Sequence, residues 1–271
     1  DLVEGCGAGL RCDTHEDGIL VSLKCTQTDA ERLLPILGWM LQQPHLNPAQ
    51  IALEKDLSLQ ALQRQQEDPF QRAFDGWRQL AYGQGPYGHD PLGVPGDLES
   101  LHHDHLIALA DRINERGSVL ALSGTLPEGI QTILQSCEES VRGEKTSLSP
   151  DLPADPGQPD SSLTLNPVET EQVVMMLGQA TLPHGHPDDL ALRVLHAHLG
   201  SGMSSLLFRR LREDHGVAYD VGVHHPARQH SAPFVMHAST GVERAQLSLE
   251  LLMKSWEELL DTVIAKRDRD L

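Results

Sequence analysis

The chain has 271 residues, 39% of them apolar and only 4% aromatic, with 21 basic against 39 acidic side chains for a formal charge of −18. A negative field of that size repels phosphates and argues against sequence-independent nucleic-acid binding. The length exceeds one ordinary domain, so two are expected, with cores of Leu, Val, Ile and Ala rather than rings.

Residues 8–13 and 18–25 read as strands around a turn ending in Asp17-Gly18. Residues 28–42 predict a helix with Leu33, Leu34, Ile36, Leu37 and Met40 on its apolar stripe. A longer helix, 48–66, follows with Asn47 as N-cap and Ile51, Leu53, Leu57, Ala61 and Leu62 on its stripe. Residues 69–82 predict another helix, 83–96 a glycine-rich loop, and 103–116 a further helix. The run Ser118-Val-Leu-Ala-Leu-Ser123 predicts a buried strand, and 127–141 a closing helix.

Between 143 and 162 the chain carries Pro150, Pro153, Pro156 and Pro159 among Asp, Ser and Gly. Proline fixes φ and removes a donor, so this stretch is expected to be an extended linker. Beyond it, 172–179 predicts a strand and 187–199 a helix that opens on Pro187 and stops at Gly200. A second helix at 204–214, strands at 217–223 and 234–238, and a long helix from 242 to about 267 complete the pattern. The order predicts an α+β fold with helices packed on one face of a mainly antiparallel sheet.

No apolar run reaches the roughly 20 residues a membrane span needs, and Asp1-Leu-Val-Glu-Gly5 lacks the basic and apolar regions of a signal peptide. The expectation is a soluble piece. Cysteines 6, 12, 25 and 137 show no CxxC spacing and are expected to be buried, reduced thiols.

Fifteen histidines invite a metal hypothesis. His102 and His105 share a helical face, and His184/His186, His196/His198 and His224/His225 form looser pairs. No H-x-x-E-H or H-E-x-x-H is present, and solvated imidazoles are the plainer reading. The run from Leu199 to Tyr219, Leu-Gly-Ser-Gly-Met-Ser-Ser-Leu-Leu-Phe-Arg-Arg-Leu-Arg-Glu-Asp-His-Gly-Val-Ala-Tyr, carries more. It reads as a helix stop, a glycine turn, a serine-capped helix presenting Arg209, Arg210 and Arg212, a second stop at Gly216, then a strand. A guanidinium and a phenol can both donate hydrogen bonds to a peptide carbonyl or a developing oxyanion. Solvated arginines on an amphipathic helix explain the residues about as well.

That run resembles the second-domain signature of the insulinase (pitrilysin-type) zinc metallopeptidase family, which includes mitochondrial processing peptidase-like members. Tyr82-Gly-Gln-Gly-Pro-Tyr-Gly-His-Asp-Pro-Leu-Gly93 with 98–101 is similar to a first-domain loop and helix of that family. The strand at 118–124 is similar to one ending in Gly-Asp, with Thr125 in place of the usual Asp. The resemblance implies two related antiparallel-sheet domains. Residues 1–142 would be the latter part of the first, 143–162 the linker, and 163–271 the earlier part of the second, truncated at both ends. It also implies that Arg212 and Tyr219 bind substrate.

The family's zinc site departs here. Its H-x-x-E-H would lie upstream of Asp1, and its distant ligand falls on the helix Ile51-Ala-Leu-Glu-Lys-Asp-Leu-Ser-Leu-Gln-Ala-Leu62. Setting Glu54 on the first glutamate there places the ligand position at Ala61, and a methyl group cannot coordinate zinc. A slip of one or two residues offers only Gln60 or Gln63.

The resemblance therefore implies a zinc-less subunit with no catalytic residue or cofactor of its own. Arg212 and Tyr219 would contact a peptide or small protein cut at the zinc of a homologous partner, the peptide adding a strand to a sheet edge. Opened sheet edges also predict self-association. Two other readings stand beside it: a fragment of an active zinc endopeptidase, and a structural subunit of a larger assembly.

Overall fold

The structure, a computed structural model, describes residues 2–113, 119–132, 135 and 163–261. In chain order its elements are α1 (Leu2–Gly5), β1 (Gly9–His15), β2 (Gly18–Lys24), α2 (Gln27–Gln42), α3 (Pro48–Gln65) and α4 (Pro69–Tyr82). Next come α5 (Pro95–Ser100), α6 (His103–Ile113), β3 (Gln172–Ala180), α7 (Asp189–Gly200) and a π-helix (Phe208–Asp214). Strands β4 (Asp220–His224) and β5 (Pro233–Gly241), a 3₁₀ turn (Val242–Arg244) and α8 (Ala245–Asp261) follow. The expected linker and the ends of the helices predicted at 103–116, 127–141 and 242–267 lie outside the described residues.

The chain divides into two compact units. One takes the described residues of Asp1–Leu62 and Pro91–Leu152, the other those of Gln63–Asp90 and Pro153–Leu271.

In the first unit β1 and β2 form an antiparallel hairpin closed by Glu16 and Asp17, with Cys12 opposite Val21. The Thr26 hydroxyl caps α2 by accepting the Asp29 N–H at 3.3 Å. Asn47 caps α3 as expected, its Oδ1 accepting the Ala49 N–H at 2.9 Å. Lys55 Nζ, on α3, donates to the Glu99 carbonyl of α5. Among the described residues of this unit the buried apolar side chains are Ala30, Leu33, Leu62 and Pro127.

Two expectations fail in this unit. The run at 118–123 is not a buried strand: 119–123 form no ladder, and Val119 and Leu120 are 85% and 57% exposed. A strand needs a neighbour to take its N–H and C=O groups, and among the described residues none pairs with this run. The cysteines are also less buried than expected: Cys12 is exposed, and Cys6 and Cys25 are half-buried. Cys12 lies in a two-stranded hairpin, where one layer of backbone cannot cover both faces. Cys137 lies outside the described residues.

The second unit holds an antiparallel sheet in the order β3-β5-β4. Register places Met176 and Gly222 on either side of His237, and Gly178 and His224 on either side of Val235. Because successive side chains alternate faces, β5 builds two cores. Phe234, Met236 and Ala238 join Leu199, Leu207, Leu211, Leu251 and Leu252 from α7, the π-helix region and α8. Val235 faces the other way, onto Phe74, Trp77, Ala81 and Tyr82 of α4 and onto Tyr87. The mixed helix and antiparallel sheet is the expected fold class. Sequence order did not show that α4, from well before the expected linker, covers this sheet's second face.

Three local differences bear on the site. The helix expected at 204–214 turns α-helical only at Leu206 and winds as a π-helix from Phe208. The strand expected at 217–223 starts at Asp220, and 217–219 run as irregular chain. The helix expected to open on Pro187 opens at Asp189 after a turn.

Candidate functional site

The segment from Leu199 to Tyr219 joins α7 to β4 beside the larger core. Gly200 is required by a close approach, since a Cβ there would lie 2.6 Å from the Val223 backbone nitrogen. Leu207 and Leu211 are fully buried and fix the π-helix against the sheet. Its three arginines have different surroundings. Arg210 turns inward, donating to Ser255 Oγ at 2.8 Å and Glu258 Oε2 at 2.6 Å on α8. Arg209 and Arg212 are exposed, and the Arg212 guanidinium stacks over the Phe208 ring at 5.1 Å.

Gly216 then takes the left-handed conformation, φ 59°, that reverses the chain out of the helix. Val217 and Ala218 bury their side chains, and Tyr219 emerges 57% exposed. The Tyr219 N–H donates to the Ser239 carbonyl at 2.8 Å, the rung before the β4–β5 ladder begins. Its ring lines an open groove of about 620 Å³ with Thr170, Glu171, Gln172, Val242 and Glu243. Arg212 is not among the groove's lining residues. Arg212 and Tyr219 thus share one segment and both reach solvent, with only the tyrosine in the groove.

The positions aligned with the zinc site lie on α3. Glu54 is exposed and accepts a hydrogen bond from Gln50 Nε2 at 2.8 Å. Ala61, half-buried two turns on, offers no donor atom. Glu54 also edges an apolar groove of about 850 Å³ lined by Leu46, Ile51, Leu98, Leu101 and Leu106. Among the described residues no group of three His, Cys, Asp or Glu side chains stands close enough to hold a metal. The described residues of α3 do not by themselves fit a zinc site.

The histidine pairs have other occupations. His102 and His105 place their rings 5.7 Å apart, but His105 Nδ1 accepts the His102 N–H and so helps close the first turn of α6. His184 pairs with the buried Asp189 at 2.9 Å. Burial pushes the Asp189 carboxyl up, but hydrogen bonds from the Gly185 N–H, His184 and Arg193 outweigh it and leave the pKa lowered.

Sequence reasoning missed a second pair, His224 and His237, beneath α4. Phe74 meets the His224 ring edge-on at 4.7 Å, and Phe70, one turn earlier, meets His237 at 4.9 Å. His224 Nε2 and His237 Nδ1 are buried without a hydrogen-bond partner among the described residues. Burial, then the charge of Arg228, the His237 ring and Arg78, holds the His224 pKa down to about 4. His237 is also lowered by burial, against a partial lift from Asp220 3.6 Å away, so the two form no ion pair at neutral pH. The signal was in the sequence: Phe70, Phe74 and Trp77 recur at helical spacing on α4.

The comparisons with known proteins bear on the family and the fold. Residues 118–268, more than half of the chain, match the peptidase M16 inactive domain. The chain belongs to the peptidase M16 family. An uncharacterized zinc protease of Rickettsia felis is 28% identical over 246 residues, 89% of this chain and 57% of that protein. One from Bacillus subtilis is 27% identical over 265 residues, 97% of this chain and 62% of that protein. The chain thus spans about three-fifths of the length of these M16 relatives. Among solved structures, a peptidase M16 inactive domain from Pseudomonas fluorescens superimposes with a TM-score of 0.76 at 20% identity. That match covers 98% of this chain and 65% of the other, and shows the shared fold.

Proposed function

We propose that this M16 homologue acts as a zinc-less, peptide-binding partner that contributes Arg212 and Tyr219 to a peptide cut at the zinc of a homologous subunit. The observation that carries the reading is Tyr219: a large aromatic side chain left 57% exposed beside a groove, directly after two buried residues. A phenol there can donate to a peptide carbonyl, and Arg212 offers a guanidinium from the preceding helix. Glu171 and Glu243 on the groove rim favour a peptide with cationic groups over an acidic one. The match to the inactive domain and the donor-free Ala61 support a subunit without its own metal.

A second reading is favoured by one observation: longer relatives are described as zinc proteases. Under it the chain is part of an active endopeptidase whose metal is held by another segment. Zinc content and peptide cleavage of the full-length gene product, alone and mixed with any co-purifying homologue, separate the two. Activity that appears only with the homologue, and is lost in Arg212→Ala and Tyr219→Phe, supports the partner role. Stoichiometric zinc and cleavage by the isolated protein would overturn it in favour of the second reading.

A further inference from the structure

Tyr219 is exposed, yet the backbone beneath it is tied at successive groups. Val217 N–H donates to the Leu211 carbonyl at 2.8 Å, and Ala218 N–H reaches the same oxygen at 3.3 Å. The Gly216 carbonyl accepts from Arg244. The Val217 carbonyl accepts from Thr240 Oγ1, and Thr240 Oγ1 in turn accepts from Ser248 Oγ at 3.2 Å. Thr240 on β5 and Ser248 on α8 are both fully buried.

The direction of this relay is fixed by chemistry. A carbonyl has no proton to give, so the threonine hydroxyl must donate to Val217, and its lone pair then receives the serine proton. A buried relay with one permitted polarity and every member satisfied is stiff, and losing a hydroxyl strands a carbonyl in the core. It ends two residues from the one exposed tyrosine, since Tyr82 and Tyr87 are 3% and 6% exposed.

We infer that Thr240 and Ser248 are positioning residues for Tyr219: the Ser248–Thr240–Val217 relay holds the segment from which the phenol enters the groove. Its use rests on the reading of Tyr219 as a peptide contact, and its test does not. Supported sites of this kind keep a contacting group within a narrow range of placements before the ligand arrives.

The three tyrosines of the chain make a direct test. The intact chain is labelled with fluorotyrosine, giving three fluorine resonances, and Tyr219→Phe assigns the one of interest. Thr240→Val keeps the side-chain shape and removes the hydroxyl, and Thr240→Ser restores it. The expected result is a shifted, broadened Tyr219 resonance in Thr240→Val with the Tyr82 and Tyr87 resonances unmoved, and recovery in Thr240→Ser. Ser248→Ala should move the same resonance to a smaller extent, and it serves if Thr240→Val does not fold. An unchanged Tyr219 resonance in every folded variant would overturn the inference. So would a parallel change in all three resonances, which marks general loosening. A selective Tyr219 response in a protein whose Arg212→Ala and Tyr219→Phe forms cleave normally with the homologue would keep the relay and sink the peptide-contact reading alone.

Discussion

At the scale of single residues, the three arginines of the π-helix show why a motif does not assign roles by itself. They lie within four positions of one another, but Arg210 meets Ser255 and Glu258 while Arg209 and Arg212 stand in solvent. Removing Arg210 takes the cation from a partly covered Glu258 and one donor from Ser255, whose hydroxyl keeps its bond to the Leu251 carbonyl, so Arg210→Met should cost about 1.5–3 kcal/mol in urea unfolding. Arg209→Met should stay within about 0.5 kcal/mol of the parent chain. Equal losses in the two variants would contradict the inward orientation of Arg210. Tyr219→Phe removes one exposed hydroxyl, so its unfolding midpoint should match the parent. If that hydroxyl meets a developing oxyanion, cleavage with the partner should fall about 10²-fold or more. A large stability loss in Tyr219→Phe would show that the hydroxyl serves the fold instead.

At the scale of elements, the seat of α4 on the sheet makes two expectations measurable. A Cβ on Gly222 would lie 2.8 Å from His237 Nε2, so Gly222→Ala should push the imidazole toward Phe70. The expected cost is about 1–3 kcal/mol, with altered Trp77 fluorescence, since Trp77 stacks beside Phe74 in the same layer. Unchanged fluorescence and stability would show that the ring has room to move. The pH dependence has a defined sign. His224 has its pKa depressed in the folded chain, from 6.5 to about 4, so the unfolded state binds more protons in between. Stability is therefore fully present above about pH 6.5 and declines as the pH falls toward 4, by on the order of 2–3 kcal/mol. His237 adds to the same trend, its pKa being lowered as well. Asp75 opposes it, because burial raises its pKa and a protonated carboxyl favours the folded state at low pH. Urea midpoints between pH 7 and 4 should fall less steeply in His224→Gln, and parallel slopes would refute the assignment to His224.

At the scale of the whole chain, sequence order and spatial grouping part company. Residues 63–90 group with the described residues of Pro153–Leu271, and α4 covers Val235 and Met176 on the β3-β5-β4 sheet. Expressed alone, residues 163–271 leave that face bare and should bind a hydrophobic dye and aggregate. The same residues co-expressed with 63–90 should show less of both. Equal dye binding in the two preparations would mean that α4 adds little to the sheet. No helix among the described residues is long and apolar enough to cross a membrane.

Most helices and strands were legible in the sequence because they rest on local periodicity, caps and stops. Asn47 caps α3, Gly200 ends α7, and β5 starts one residue before its expected start and runs three past its expected end. The segment from Leu199 to Tyr219 was recognisable as one continuous stretch, although its helix begins at Leu206 rather than 204 and its strand at Asp220 rather than 217. The run at 118–123 misled because an apolar β-prone sequence states a propensity, while a strand exists only where a neighbour completes its hydrogen bonds. Only the tertiary structure decided that Arg210 faces α8, that Tyr219 rather than Arg212 lines the groove, and that His224 and His237 lie under α4. Those facts depend on contacts between residues far apart in the chain, such as Thr240 with Val217 or Phe74 with His224. Local sequence sets which elements form; the burial and pairing that give a side chain its chemistry are set by what the fold brings beside it.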